Sequence, residues 1–252
     1  MNRRTFLTTA LAMPIVAAQA ADQPWSAGFL PGHFDGKIFW SGLQVKLQPG
    51  WKTYWRVPGA SGIAPVIEAQ GSNLKSFEVL YPTPVRLKSG DGDIIGYSDE
   101  VVFPVKFAAV QEAKPLSIRL NAFLGVCDQV CIPVRVEGEV SFDHGSSSGA
   151  ENMVLEHWID RLPKPWLGLV TAVTAALDEN QMPVLNLVLA QPVIDIFVEG
   201  KAGHYFHAPA ISGMQASIKV SGAKTVAELK GASLRLTMAT TSGGVEETVT
   251  VV

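Results

Sequence analysis

The chain has 252 residues, of which 47% are hydrophobic and 17% charged, and its formal net charge at pH 7 is −3. This balance lacks the basic excess that draws proteins to nucleic acid or anionic lipid, so we expect neither partner. The length suits two domains of about 100–150 residues each, and two cysteines are too few for a disulfide scaffold of that size.

The first twenty residues have the composition of a signal peptide. An arginine pair opens the segment Arg3–Leu7, an apolar stretch covers Ala10–Ala18, and small residues at Ala18–Ala20 form a cleavage site. Two arginines ahead of Phe-Leu are also typical of a twin-arginine signal, so we predict export by that route and a mature chain that starts near Ala21. No later apolar run has the roughly 20 residues of a spanning helix. We therefore expect a soluble periplasmic protein with no direct membrane span.

The region 21–145 is predicted to be an antiparallel β-sandwich, because short strand-like runs recur along it with turn residues between them. These runs are Lys37–Gln48, Ala64–Ala69, Phe77–Tyr81, Val101–Phe107, Leu116–Val126 and Ile132–Phe142. The stretch Asp143–Gly149 is polar and rich in serine and glycine, which indicates an exposed domain boundary.

The region 146–165 is predicted to be a linker with one short helix. Ser148 and Glu151 form a capping box, and Pro163 ends the pattern. Apolar residues lie between them at helical spacing: Leu155, Trp158, Ile159 and Leu162. We expect this helix to pack between the two halves of the chain.

The region 166–252 is predicted to be a second, smaller β-sandwich, which makes the whole fold all-β. Its strand-like runs are Gly168–Ala176, Pro183–Ala190, Asp195–Glu199, Gln215–Val220, Ser233–Thr240 and Glu246–Val252.

Cys127 and Cys131 lie between two alternating strands, and three residues separate them. Alternation places both on the more polar face of the predicted hairpin, where another protein's sulfur can reach them. The hairpin also brings the two close enough to form a disulfide. Reversible thiol–disulfide exchange and a purely structural bridge are the two interpretations of such a pair, and so short a loop adds only about 2 kcal/mol of stability.

From Pro49 to Pro133 the chain resembles the periplasmic N-terminal domain of the thiol:disulfide interchange protein DsbD family, and it looks closer still to the ScsB-type proteins. The resemblance is carried by Gly50–Arg56 with Pro58-Gly59, Gly96–Val101 with Phe103–Val105, and Cys127–Cys131 with Ile132-Pro133. It implies an immunoglobulin-like redox domain, and ScsB-type proteins similarly carry a second sandwich.

The resemblance also implies partners and roles. A membrane-embedded donor domain reduces the cysteine pair, which passes electrons to oxidised thioredoxin-fold proteins of the periplasm. By position Cys131 would attack the client disulfide and Cys127 would resolve it. No segment resembles the family's membrane domain, so we expect a separate membrane electron donor of the DsbD type. No cofactor is needed, because the disulfide itself carries two electrons.

Six residues are candidates for binding around the cysteines. The family covers its cysteines with a cap loop, which corresponds here to Ser89–Tyr97 and contains two bulky apolar residues. The candidates are Tyr54, Trp55, Ile94, Ile95, Tyr97 and Pro133. For the aromatic residues near Tyr54, packing within the sheet is the alternative interpretation. Arg56 either orients a partner or is a solvated charge at a strand end.

Two other functions stay open. A Cys-x3-Cys-x-Pro stretch resembles the copper chaperones of the Sco type in its spacing, and soft thiolates suit Cu(I), so the same cysteines could serve copper tolerance. A binding module with a structural disulfide is the third interpretation. His204 and His207 are predicted to be surface or turn residues rather than metal ligands, because no cysteine or carboxylate cluster is near them in sequence.

Overall fold

The computed structural model describes residues 23–59, 62–89, 92–142 and 149–252. The predicted signal peptide lies outside these residues, as do Ser148 and nearly all of the predicted boundary stretch. The strands of the first domain are β1 Trp25–Phe29, β2 His33–Phe34, β3 Phe39–Leu47, β4 Lys52–Tyr54, β5 Val66–Ser72, β6 Leu74–Val79, β7 Val85–Ser89, β8 Gly92–Ser98, β9 Glu100–Ala109, β10 Leu116–Cys127 and β11 Cys131–Phe142.

Two antiparallel sheets pack face to face in the first domain. One contains β1, β2, β3, β9 and β6, and the other contains β11, β10, β5, β4, β8 and β7. Every second residue of β10 from Leu116 to Val126 is buried in the core between the sheets. The predicted core face of this strand is therefore confirmed, and the alternation follows from the period of two in extended backbone.

The helix α1 spans Gly149–Ile159 and packs on the first domain. Leu155 and Trp158 belong to that domain's core, and a Cβ atom on Gly42 of β3 would lie 3.2 Å from the Leu155 side chain. The helix therefore covers the outer face of β3 and β9, which explains why five consecutive residues, Val101–Val105, are buried. The prediction that the helix packs between the domains is wrong, because these strands carry apolar side chains on both faces and need a cover.

The second domain is a smaller sandwich with its own core. Its strands are β12 Lys164–Pro165, β13 Val170–Leu177, β14 Pro183–Leu189, β15 Asp195–Glu199, β16 Tyr205–Phe206, β17 Ala210–Ser212, β18 Gln215–Ser221, β19 Ser233–Thr240 and β20 Gly243–Thr250, with a short 3-10 turn at Val226–Glu228. One sheet contains β12, β20, β19 and β15, and the other contains β13, β14, β18, β16 and β17. The predicted all-β fold of antiparallel sandwiches is confirmed.

The two domains are joined by an aromatic contact and two sets of ion pairs. Trp55 packs against Phe197 of β15 at a ring distance of 5.8 Å. The Arg56 guanidinium donates to Glu199 at 2.6 Å and to Glu246 at 3.2 Å, and Arg86 donates to Asp195 at 3.1 Å. Arg56 is therefore not a solvated charge, because its side chain is only 15% exposed in this interface. None of the helices that the structure describes has the length and apolar character needed to cross a membrane.

Candidate redox site

The two cysteines form a disulfide at the tip of the longest hairpin in the first domain. Cys127 ends β10, Cys131 begins β11, and their Cα atoms are 4.2 Å apart. The turn between them, 128–130, is exposed. The predicted pairing of the two cysteines is confirmed.

Exposure differs sharply between the two cysteines. Cys131 is exposed, whereas Cys127 is buried and only 1% of its surface is accessible to solvent. The prediction that both lie on an accessible face is therefore correct for Cys131 and wrong for Cys127. The reason is Tyr54, whose ring covers this end of the β10 face: a Cβ atom on Gly125 would lie 3.0 Å from it.

Tyr54 places its phenol between the two sulfurs. The Tyr54 Oη atom lies 2.8 Å from Cys127 Sγ and 3.0 Å from Cys131 Sγ. Because neither sulfur of a disulfide carries a hydrogen, the phenol is the donor in both contacts. Burial raises the pKa of Tyr54 above its ordinary value, so the phenol keeps its proton at neutral pH and remains a donor.

The backbone around Tyr54 is built to hold its ring at the disulfide. Strand β4 lies between β10 and β8, and Thr53 donates from its hydroxyl to the Gly125 carbonyl at 2.8 Å. Glycines make room on both sides of the ring, since a Cβ atom on Gly62 would come within 2.5 Å of it. The short strand β4 thus fixes both the position of the phenol beside the disulfide and its orientation.

The disulfide opens into a cleft of about 520 Å³ whose walls come from both domains. The first domain contributes Tyr54 and, from the β7–β8 hairpin, Asp93 and Ile94. The second domain contributes Tyr205 and His207. The region predicted to be a cap loop therefore contributes to the antiparallel pair of β7 and β8 beside the cysteines, and residues 90–91 lie outside the described part of the chain.

Of the six predicted binding residues, Tyr54 and Ile94 line this cleft. Trp55, Ile95 and Tyr97 lie elsewhere, because their side chains point into the core of the first domain. Tyr97 donates its hydroxyl hydrogen to the Pro82 carbonyl at 2.7 Å and is thereby fixed inside the sandwich. Pro133 is exposed on β11, two residues beyond Cys131, and does not border the cleft.

His207 is a cleft residue that the sequence interpretation placed on an ordinary surface or turn. A hydrogen bond of 2.7 Å joins its Nε2 atom to Ser221 Oγ, and the Tyr205 ring lies edge-on to it at 4.7 Å. Burial, and secondarily the positive charge of Lys219, lower the pKa of His207. The neutral form of its imidazole is therefore favoured at pH 7.

Metal ligands do not cluster here in the part of the chain that the structure describes. No group of three or more histidine, cysteine, aspartate or glutamate side chains in residues 23–59, 62–89, 92–142 and 149–252 is arranged to hold a metal ion.

Two comparisons with known proteins found similarity. Residues 23–141 match the family model of the thiol:disulfide interchange protein DsbD, N-terminal. The crystal structure of the N-terminal periplasmic domain of ScsB from Proteus mirabilis is similar over 90% of this chain and 91% of that chain, with a TM-score of 0.65 and 23% sequence identity. No curated protein sequence matches the chain. The structural likeness therefore covers both sandwiches, and the family match covers the one that carries the disulfide.

Proposed function

We propose, from the premise that residues 23–141 form a DsbD N-terminal-like domain, that this chain is a thiol–disulfide exchange module of the periplasm. In this proposal it receives two electrons from a separate membrane reductase and passes them to oxidised thioredoxin-fold proteins. Cys127 and Cys131 carry the electrons, and no other cofactor takes part. Export of the chain is part of the proposal.

One observation carries the proposal: a disulfide between one exposed and one buried cysteine contacts a single phenol at an open cleft. An exposed sulfur can meet a client sulfur, whereas a buried one is protected from competing disulfides. A bridge that served only to clip the hairpin would need neither the difference in exposure nor the shared phenol.

The exchange proceeds in two displacements when the pair starts reduced. The Cys131 thiolate attacks the client disulfide, forms a mixed disulfide, and releases the first client sulfur as a thiolate that takes up a proton. The Cys127 thiolate then attacks Cys131 Sγ, restores the Cys127–Cys131 bond and releases the second client sulfur. The client gains two electrons, and the reductase later returns two electrons to the pair.

Tyr54 supports both displacements in this account. A hydrogen bond to a sulfur favours its thiolate, which is the nucleophile in each step and also the leaving group in the reverse direction. The phenol contacts both sulfurs. It can therefore donate a hydrogen bond first to the Cys131 thiolate and then to the Cys127 thiolate without a change in its own position.

The test is electron transfer from the reduced full chain to oxidised thioredoxin. We expect one disulfide to form in the chain for each thioredoxin disulfide that is lost, and none with the Cys127→Ala/Cys131→Ala control. A titration of the reduced chain with Cu(I) separates the copper alternative. Tight Cu(I) binding without transfer to thioredoxin would favour copper handling, and the absence of both activities would leave the disulfide as a structural clip.

A further inference from the structure

The second domain forms part of the wall of the cleft into which the disulfide opens. Phe206 of β16 points into the core of that domain, where it is 8% exposed. Because neighbouring residues of an extended segment point to opposite sides, Tyr205 and His207 point away from that core, and both line the cleft. The pairing of β16 with β18 and a backbone hydrogen bond of 3.0 Å from His207 to Lys219 fix this segment.

The position of this wall is coupled to the position of Tyr54. Tyr54 donates hydrogen bonds to the two sulfurs. The next residue, Trp55, packs on Phe197, and Arg56 forms an ion pair with Glu199. Three consecutive residues of the first domain therefore hold the disulfide on one side and the second domain on the other. His207 keeps a defined place relative to the cysteines as a result.

Thiol–disulfide exchange moves protons as well as electrons, and the cleft offers few groups that can carry them. Each thiol must lose a proton before it attacks, and each departing client thiolate must gain one. Tyr54 holds its proton at neutral pH because burial raises its pKa. The carboxylates of Asp93 and Asp128 bear negative charge, which opposes a thiolate nearby. Imidazole is the side chain that ordinarily gains and loses a proton between pH 5 and 8.

We propose that His207 is the proton-exchange group of this redox site and that the second domain thereby completes the site. This inference rests on the proposed function. The neutral imidazole accepts the proton that leaves a cysteine thiol of the module, and the imidazolium returns it to the client thiolate released in the same displacement. Over two displacements, two protons accompany the two electrons from module to client.

The groups around His207 favour this role. Ser221 hydrogen-bonds its Nε2 atom, and Lys219 on the neighbouring strand opposes the charged form. Tyr205 packs on the imidazole, and Tyr54, Asp93 and Asp128 line the same cleft. Burial is the largest cause of its lowered pKa, so the imidazole is available as a base at neutral pH.

The test compares His207→Gln with His204→Gln, a matched change three residues away that lies outside the cleft wall. The reduced full chain reacts with glutathione disulfide between pH 5 and 8. We expect the wild type and His204→Gln to share an inflection below pH 6.5, the ordinary value for histidine. His207→Gln should lose this inflection and react about a hundredfold more slowly at pH 7, the low end of general acid–base effects.

Ser221→Ala provides a second variant that keeps the imidazole. Loss of the Ser221 hydroxyl should move the inflection along the pH axis without abolishing it. Equal rates for His207→Gln and His204→Gln at every pH, with an unmoved inflection in Ser221→Ala, would overturn the inference. Failure of the wild type to react at any pH would instead contradict the proposed function.

Discussion

Cys131 is exposed at the start of β11, whereas its disulfide partner Cys127 is almost fully buried beneath the ring of Tyr54. This inequality follows from the fold, because β10 runs beside β4 at Cys127 while β11 is the outer strand of its sheet. In the proposed function it would give two chemically identical side chains different tasks: the exposed Cys131 would meet partners and the buried Cys127 would resolve the mixed disulfide.

Tyr54→Phe removes only the hydroxyl that is hydrogen-bonded to both sulfurs. A hydrogen bond to a charged group contributes about 1.5 kcal/mol, so electron transfer to thioredoxin should slow about tenfold. The melting temperature should change little, because the ring still fills the space between Gly62 and Gly125. Stopped-flow measurement of the transfer checks this, and an unchanged rate would show that the phenol plays no part in exchange.

Gly125→Ala should disturb the packing around the Tyr54 ring. The added Cβ atom would lie 2.9 Å from Ile63 and 3.0 Å from the Tyr54 ring, so at least one of them must shift. Overpacking of this kind costs about 1–3 kcal/mol. Gly28→Ala in β1 is the matched control, because nothing lies within 4 Å of its added Cβ atom. Denaturant unfolding should separate the two variants, and equal midpoints would contradict the predicted crowding.

Arg56→Met should loosen the second domain. The change removes the guanidinium, whose Cζ atom lies 4.4 Å from the centre of the Trp55 ring. It leaves Glu199 and Glu246 with Arg235 as their remaining cation among the described ion pairs. Removal of one member of a partly buried pair of this kind lowers the free energy of unfolding by about 2 kcal/mol. Calorimetry of the full chain measures the loss.

Arg119→Met is the control for that experiment. Arg119 and Glu139 form a surface pair in which the side chains are 69% and 67% exposed, and such pairs contribute about 0–1 kcal/mol. If both arginine variants melted alike, the interface network would be no more important than a surface contact.

His207 should also make stability depend on pH. Its pKa in the folded chain lies below the ordinary 6.5, so the unfolded chain binds this proton more readily than the folded chain does. The contribution of His207 to the free energy of unfolding is therefore fully present above pH 6.5. It is lost as the pH falls through the pKa that His207 has in the folded chain. His207→Gln should flatten this part of the curve in denaturant titrations between pH 5 and 7, whereas His204→Gln should follow the wild type.

Much of the fold could be predicted from the sequence where strands are long and alternate regularly. The observed β15 and β19 have the predicted bounds, and β10 differs by a single residue. Strand β4 was missed because three residues are too few for a periodic signal, and its position depends on β8 and β10, which pair with it. The hairpin of β7 and β8 was missed because its glycines and charged residues suggest a loop.

The candidate site was predictable only in part, for the same physical reason. The pairing of Cys127 with Cys131 is local and follows from one hairpin, whereas the burial of Cys127 depends on Tyr54, which is distant in sequence. The place of His207 depends on how two domains meet. Alternation around Phe206 indicates that His207 faces away from its own core, but nothing in that pattern says what it faces.

The most direct test of the account traps the mixed disulfide with single-cysteine variants of the full chain. Reduced Cys127→Ser, incubated with oxidised thioredoxin, should accumulate a covalent complex through Cys131, because the resolving sulfur is gone. Cys131→Ser should form at least about tenfold less complex, since its remaining sulfur is buried. Equal trapping by both variants, or none by Cys127→Ser, would contradict the proposed role of the pair.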